Sequence, residues 1–121
     1  MKKITLLLFV IMSCNVLMAQ KFEFFQLTTI ESVVPMGLGR SRMLTTDENG
    51  KKNEVKMKNF FSAVGINFGN IRENDLLVGQ KLTELSSQGW ELISTNTGVY
   101  SNEKSTGIFI TRYLFKRAKK E

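Results

Sequence analysis

Only one segment of this chain has the residue spacing of an α-helix. Between Asp75 and Gln88 apolar residues recur with a period of 3.6, and Lys81, Glu84 and Gln88 lie on the opposite side. The apolar positions are Leu77, Val78, Leu82 and Leu85. Strand-like segments make up much of the remaining chain after residue 20. The sequence therefore predicts a β-sheet with a single helix, and one helix covers only one face of a sheet.

The predicted helix has a start signal and a stop signal. Asn74 or Asp75 is a suitable N-cap, because a short polar side chain can accept a hydrogen bond from the first turn. Gly89 follows the last turn and can take the left-handed conformation that ends a helix. A helix between these signals is about 20 Å long.

The strands are recognised by alternation and by β-branched and aromatic side chains. The predicted strands are Lys21–Val33, Arg42–Thr46, Glu54–Lys58, Trp90–Thr97 and Ile108–Arg117. Pro35 and the glycines after it end the first strand, and residues 47–51 form the turn of a hairpin. Residues 101–107 form a polar turn, and Phe60–Phe68 is either a short strand or a buried loop.

These elements predict an α+β fold. The domain is residues 20–121, a small antiparallel sheet in the order strand, hairpin insert (34–74), helix, strand, strand, with the helix packed on one face. About 100 residues are enough to bury a core and fold as one domain.

The first and last strands are apolar on both faces. The last strand carries Ile108, Ile110 and Leu114 on one face and Phe109, Tyr113 and Phe115 on the other. Strands of this kind are usually buried on both faces. We therefore expect residues 34–74, a second copy or another protein to cover the second face. A charge at Phe109 or Tyr113 is expected to split a self-interface.

The first 19 residues have the pattern of a secretory signal peptide. Lys2 and Lys3 precede an apolar run over residues 4–12, and Leu17-Met18-Ala19 before Gln20 suits a cleavage site after Ala19. An exported protein, periplasmic or secreted, is the expectation. The alternative is a lipoprotein anchored at Cys14, since Ile11-Met12-Ser13-Cys14 approximates a lipobox.

Composition excludes several kinds of chemistry in the domain. The chain has no histidine, and its one cysteine is Cys14. Disulfides within residues 20–121 are therefore impossible, and so are catalytic systems that use imidazole as the base. The usual zinc, copper and haem ligands are missing as well. The sequence points to no catalytic, cofactor-binding or metal-ligating residue, and we expect no cofactor.

Three short motifs are better explained as turns than as sites. Ser101-Asn102-Glu103-Lys104 has the Ser-x-x-Lys spacing of penicillin-binding enzymes but lies in a predicted turn. Gly37-Leu38-Gly39-Arg40 follows a proline and opens no helix, unlike a phosphate-binding loop. Asp47-Glu48-Asn49-Gly50 has part of a calcium loop without its later acidic ligand.

The net charge is modest once the signal is removed. Leaving Lys2 and Lys3 out of the 17 basic residues leaves 15 against 11 acidic ones, a net charge of +4. The basic residues near the C-terminus are Lys116, Arg117, Lys119 and Lys120. We interpret them as a solvated terminus, with contact to an anionic membrane surface as the alternative. Nucleic acid is not expected as a partner of an exported protein.

Several segments together resemble a known family. The helix end Leu82–Gln88, the motif Gly89-Trp90-Glu91-Leu92-Ile93 and the closing Tyr113-Leu114-Phe115-Lys116-Arg117 are similar to the small bacterial family called domain of unknown function 4177, as is the opening Phe22-Glu23-Phe24. The likeness covers residues 21–33 and 75–117, and the insert 34–74 is longer than in compact members. The resemblance implies a fold and no site.

Two residues of the shared motif have a structural interpretation. Trp90 is expected in the core, because a large aromatic residue at a helix-to-strand corner can fold back onto the helix. Glu91 then points the other way and is expected to pair across strands with Arg112 or Lys116.

The function expected from these observations is a non-catalytic interaction or assembly module of the bacterial envelope. It would act through the second sheet face, as a homo-oligomer or with an envelope protein. The alternative is a small enzyme or ligand carrier with a pocket beside the 34–74 insert.

Overall fold

The computed structural model describes residues 20–37, 39–47, 49–102 and 106–119. The described strands are β1 (Phe22–Val33), β2 (Arg42–Thr46), β3 (Lys52–Lys56), β4 (Phe61–Ser62), β5 (Gly65–Ile66), β6 (Glu91–Asn102) and β7 (Thr106–Ala118). The main helix is α1 (Phe68–Ser87), and a single 3-10 turn covers Pro35–Gly37. All of these elements lie after residue 19, so residues 20–121 carry the whole described fold.

Five strands form one antiparallel sheet in the order β3-β2-β1-β7-β6, and β4 pairs with β5 in a separate two-stranded sheet. Strands β1 and β7 pair along their whole length, from Phe22 opposite Ala118 to Val33 opposite Gly107. Helix α1 packs on one face of the large sheet through Leu85 and its neighbours. The predicted α+β class and order of elements are confirmed.

The N-terminus of the helix differs from the prediction. Helix α1 begins at Phe68 rather than Asp75, and Asn67 is its N-cap, with its side-chain oxygen accepting a hydrogen bond from Asn70 N at 3.0 Å. The predicted cap Asn74 lies inside the helix and is fully buried. The first turns escaped prediction because Phe68 is exposed, so they do not continue the apolar stripe.

The C-terminus of the helix agrees with the prediction. Gly89 has a φ of 83°, the left-handed conformation. Its N–H donates to Ser86 O at 3.0 Å, and the N–H of Trp90 reaches back to Leu85 O, also at 3.0 Å. These two bonds form a Schellman motif, which turns the chain sharply and returns Trp90 to the core.

The core lies between α1 and one face of the sheet. Its buried residues are Phe25, Leu27, Met43, Met57, Leu85, Trp90 and Phe115, with Leu77, Val78, Leu82 and Tyr113 packed against them. Trp90 is 7% exposed, as expected for a core residue. Its ring centroid lies 5.5 Å from that of Phe25.

The boundaries of three strands differ from the prediction. Strand β6 continues past Thr97 to Asn102, and β7 begins at Thr106, so the predicted turn at 101–107 is mostly strand. Gly98 does not end β6, because it pairs directly with Ile110 on β7. Strand β3 runs from Lys52 to Lys56, so both of its ends lie two residues earlier than in the predicted strand Glu54–Lys58.

Candidate functional site

The sheet face turned away from α1, here called the open face, is the main candidate for contact with a partner. Its centre is a cluster of three isoleucines, Ile30, Ile108 and Ile110, called the isoleucine cluster below. Ile30 lies opposite Ile110, and Ile108 lies opposite Tyr100, whose side chain is 67% exposed. The strand pairing therefore brings apolar residues that are distant in sequence onto one surface.

The 34–74 insert covers the open face only at its Ser32 end, where Ser32 is 3% exposed and its Oγ donates to Asn59 Oδ1 at 2.9 Å. Its hairpin, β2–β3, extends the sheet beside β1 instead. Phe60, after the hairpin, packs on Phe109 of the helix side, with ring centroids 5.9 Å apart. Tyr113 packs against the core on that same side.

The expectation that Phe109 and Tyr113 mark the second face is therefore wrong. The alternation of the sequence correctly divides the β7 side chains between the two faces of the sheet. Which of the two faces is covered depends on where α1 packs, and alternation does not show that. The open face carries the even-numbered residues of β7, which include Ile108, Ile110, Arg112, Leu114 and Lys116.

Charged residues surround the isoleucine cluster. Arg112 follows Ile110 on the same face of β7 and is exposed. Arg42 lies beside the cluster, opposite Ile30, and its guanidinium forms an ion pair with the Glu54 carboxylate. The open face is thus apolar at its centre and mainly basic around it.

The two edges of the sheet differ strongly. Strand β3 is short and exposes Lys52, Glu54 and Lys56, the kind of charges that prevent edge-to-edge pairing. Strand β6 has 12 residues, and Glu91 is its one charged residue. Over residues 91–101 every β6 side chain is exposed except the half-buried Ser94. This edge lacks the charges that protect β3.

A predicted cross-strand pair is present at the start of β6. Glu91 lies directly opposite Lys116, and the distance from Glu91 Oε2 to Lys116 Nζ is 3.4 Å. The pair is partly exposed and contributes little to stability, at most about 1 kcal/mol.

Two buried asparagines hold the insert in place. Asn59 Oδ1 accepts from Ser32 Oγ at 2.9 Å and from Val34 N at 3.1 Å, while its Nδ2 donates to Val34 O and Phe61 O. Asn74 accepts from Lys58 N at 2.8 Å and donates to Lys58 O at 2.9 Å. Sequence reasoning missed both roles, since each depends on contacts between distant segments.

A partly buried carboxyl group lies beside Asn74 on the helix side. Asn74 Nδ2 donates to Glu31 Oε1 at 3.2 Å. Burial raises the pKa of Glu31, the Asn74 hydrogen bond opposes that rise, and the charge of Asp75 adds to it. Burial also raises the pKa of Tyr113. The negative charge of Glu31 raises it further and that of Asp75 adds a small rise, while an interaction with the Thr29 side chain lowers it. The Thr29 hydroxyl nevertheless has no partner with full hydrogen-bond geometry among the described residues.

Replacing Glu31 by Gln is expected to stabilise the protein at neutral pH. A folded-state pKa above the ordinary value of 4.5 means that the folded protein binds this proton more tightly than the unfolded chain. The carboxyl group therefore lowers the free energy of unfolding as pH rises from about 4.5 through the folded-state pKa. An amide does not ionise and has no such effect. In urea denaturation, the stability advantage of Glu31→Gln should grow between pH 4 and pH 7. An advantage that stays constant over this pH range would contradict the prediction.

Two clefts lie beside the 34–74 insert. The alternative function, a small enzyme or ligand carrier, predicts a pocket at this place. One, of about 250 Å³, lies between β2–β3 and α1 and is lined by Met43, Val55, Leu77 and Glu84 among others. The second, of about 560 Å³, is lined by Lys56, Lys58, Asn59 and Asn70 among others. In the described part of the chain, no three His, Cys, Asp or Glu side chains are grouped to hold a metal ion.

The short motifs of the sequence have structural explanations where they are described. Asp47 accepts hydrogen bonds from Asn49 N at 3.0 Å and Lys51 N at 2.8 Å, which confirms the turn. A Cβ on Gly39 would lie 2.1 Å from Asn59 Oδ1, so glycine is required there by close packing. Ser101 lies in β6, while Glu103 and Lys104 are outside the described residues, as are Leu38 and Glu48.

Comparison of the chain with protein-family models, with curated proteins and with solved structures finds no match in any of the three. The resemblance to the domain of unknown function 4177 family therefore stays a prediction. Among the described residues, no helix combines the length and the apolar character needed to cross a membrane.

Proposed function

We propose that the protein is a non-catalytic assembly module of the bacterial envelope that associates with a second copy of itself through the open face. The observation that carries the proposal is the five-stranded sheet with α1 on one face and the isoleucine cluster on the other. The predicted signal over residues 1–19 supports export. The resemblance to the domain of unknown function 4177 family belongs to the same proposal, as an expectation about fold.

The size of the open face fits a small interface between two copies. Strands β1, β6 and β7 have 12 or 13 residues, so each is about 40 Å long at about 3.3 Å per residue. With neighbouring strands about 4.8 Å apart, and with the shorter β2 and β3 added, the face presents about 750 Å² per copy. A dimer centred on Ile110 would cover about 30 Å of these strands, from Thr106 to Leu114 on β7, and leave the Phe22 end of the sheet free. Two copies would then bury about 900 Å² in total, the size of a small and weak interface.

The charges on the face select one arrangement of the two copies. If the two-fold axis of the dimer ran along β7, Arg112 of one copy would face Arg112 of the other, and the two like charges would repel. If the axis crosses the strands at Ile110, Arg112 of each copy lies over the Tyr100 end of the other, since Tyr100 and Arg112 lie on opposite sides of Ile110. An arginine over an aromatic ring is favourable, and so is packing of two sheets with nearly aligned strands.

Light scattering after size-exclusion chromatography tests the proposal on the processed chain, residues 20–121. We expect a dimer, and we expect Ile110→Glu to give a monomer because it buries a charge in the centre of the interface. Tyr100→Glu changes a more exposed residue, so it serves as a second variant that should fold in either case. Val64→Glu is the matched control, because Val64 is almost wholly exposed and lies in the small β4–β5 hairpin.

A monomeric wild-type protein at high concentration would overturn the proposal. A dimer that survives both open-face substitutions but is split by Val99→Lys would overturn it as well, because it would place the contact along the β6 edge. In each case circular dichroism of the variants shows whether the fold is retained.

A ligand carrier that uses the cleft between β2–β3 and α1 is the second candidate. Its support is the apolar lining of Met43, Val55 and Leu77 beside the polar groups of Lys81 and Glu84. Saturable binding of an apolar fluorescent dye, lost in Leu77→Glu and kept in Ile110→Glu, would favour this function.

A further inference from the structure

One corner of the sheet combines exposed aromatic rings with lysines. Phe22 and Phe24 lie on the open face at the start of β1, and their side chains are 43% and 61% exposed. Lys116 lies opposite Phe24, and its Nζ is 5.3 Å from the centroid of the Phe22 ring. Large exposed aromatic residues next to cations are unusual on a surface that contacts water alone.

Further lysines extend this corner. The N–H of Lys119 donates to Lys21 O at 2.9 Å, so the beginning of β1 and the end of β7 stay paired beyond the strands. Lys21 and Lys119 are both exposed at the very end of the sheet, where strand alternation puts them on the side of Glu23 and Arg117. On the open face, Glu91 is the acidic residue that pairs with Lys116. Because Glu23 and Arg117 neutralise each other as an ion pair, the three lysines and Glu91 give this end of the sheet a net charge of +2.

Arg117 does not belong to this corner, although the sequence placed it in the same basic run. Its guanidinium lies 4.2 Å from the centroid of the Trp90 ring and 2.8 Å from Glu23 Oε2, on the helix side of the sheet. Lys120 is outside the described residues. The structure thus divides the basic terminus into a core-packing arginine and a lysine group beside two phenylalanines.

We propose that the corner formed by Lys21, Phe22, Phe24, Lys116 and Lys119 docks the protein on an anionic membrane surface. Aromatic rings insert at the level of the lipid headgroups, and the lysines around them attract anionic lipid. The predicted signal joins the domain at Gln20, directly before this corner, so the exported chain leaves the membrane at the same place. The positive charge of the corner and its position directly after the predicted signal both favour a bilayer over a protein as its binding partner.

Docking by this corner also orients the open face. Along β1 the isoleucine cluster begins at Ile30, six residues after Phe24, which corresponds to about 20 Å of strand. The isoleucine cluster therefore stays clear of the headgroups and free to bind a second copy. Docking and self-association depend on different residues, so either proposal can fail without the other.

Vesicle flotation with the processed chain tests the docking. We expect binding to vesicles of equal parts phosphatidylcholine and phosphatidylglycerol, little binding to phosphatidylcholine alone, and weaker binding at high salt. Phe22→Ser combined with Phe24→Ser should lower the partition coefficient about tenfold or more, because the inserted rings are lost. Lys116→Ala should lower it roughly fivefold.

Phe68→Ser is the matched control, since Phe68 is exposed to a similar extent but lies at the start of α1. It should leave the partition coefficient unchanged. Absence of binding to the anionic vesicles at low salt would overturn the proposal. Binding that the double phenylalanine variant retains in full would overturn it too, because nonspecific attraction by lysines would then be sufficient. Ile110→Glu should bind vesicles like the wild-type protein.

Discussion

Trp90→Ala is expected to lower the free energy of unfolding by about 3–5 kcal/mol, the usual loss for a large aromatic residue removed from a core. Trp90 packs against Phe25 on one side and lies under the Arg117 guanidinium on the other. The Schellman turn at Gly89 fixes its backbone, so neighbouring side chains cannot easily close the cavity. Urea denaturation followed by far-ultraviolet circular dichroism measures the loss, since the variant has no other tryptophan to report fluorescence.

Trp90→Phe provides the comparison for that prediction. Phenylalanine keeps an aromatic face for Arg117 and much of the contact with Phe25, so its loss should be clearly smaller. If Trp90→Ala loses less than about 1 kcal/mol, the corner tolerates the cavity and Trp90 is not a main core residue.

Features determined by local sequence were predicted well. The end of α1 depends on Gly89 and on the backbone of the preceding turn, and both lie within a few residues of each other. The alternation of β1 and β7 is local in the same way, so the two sets of side chains on each strand were correctly separated. For the cross-strand partner of Glu91 the sequence allows Arg112 or Lys116, and the register of the hairpin selects Lys116, while Arg112 lies opposite Asn96.

Features determined by distant contacts could not be predicted in this way. Asparagine is a common N-cap residue, which explains the prediction for Asn74. Its hydrogen-bond partners are instead Lys58 and Glu31, and Glu31 is 43 positions away. The face of β7 that α1 covers depends on the packing of Leu85 and Trp90, which no pattern within β7 reveals. Phe109 and Tyr113 were therefore assigned to the wrong face.

The position of α1 connects the fold to the proposed functions. Leu77, Val78 and Leu82 of α1 pack against the core residues of β1, β2 and β7, while the helix-side residues of β6, including Thr95 and Val99, remain exposed. A single helix is too narrow for five strands about 4.8 Å apart. Such a sheet leaves most of one face and the β6 edge for contacts outside the domain.

Asn59→Ala is expected to lower the free energy of unfolding by about 2–4 kcal/mol without changing the oligomeric state. The substitution removes four side-chain hydrogen bonds and leaves the N–H and C=O of Val34 without their partner. It also loosens the segment that places Phe60 on Phe109, on the helix side of the sheet. Asn59 meets the open face only at Ser32, and the isoleucine cluster is formed by other residues, so light scattering below the unfolding transition should give the wild-type mass.

Asn53→Ala is the matched control for Asn59→Ala, because Asn53 is an exposed asparagine of β3. It should change stability by about 0.5 kcal/mol or less. Equal losses in the two variants would contradict the role of Asn59 as the anchor of the insert. Loss of the dimer in Asn59→Ala, with the fold retained by circular dichroism, would mean that the insert itself takes part in the contact between copies. The open face would then not be the complete interface.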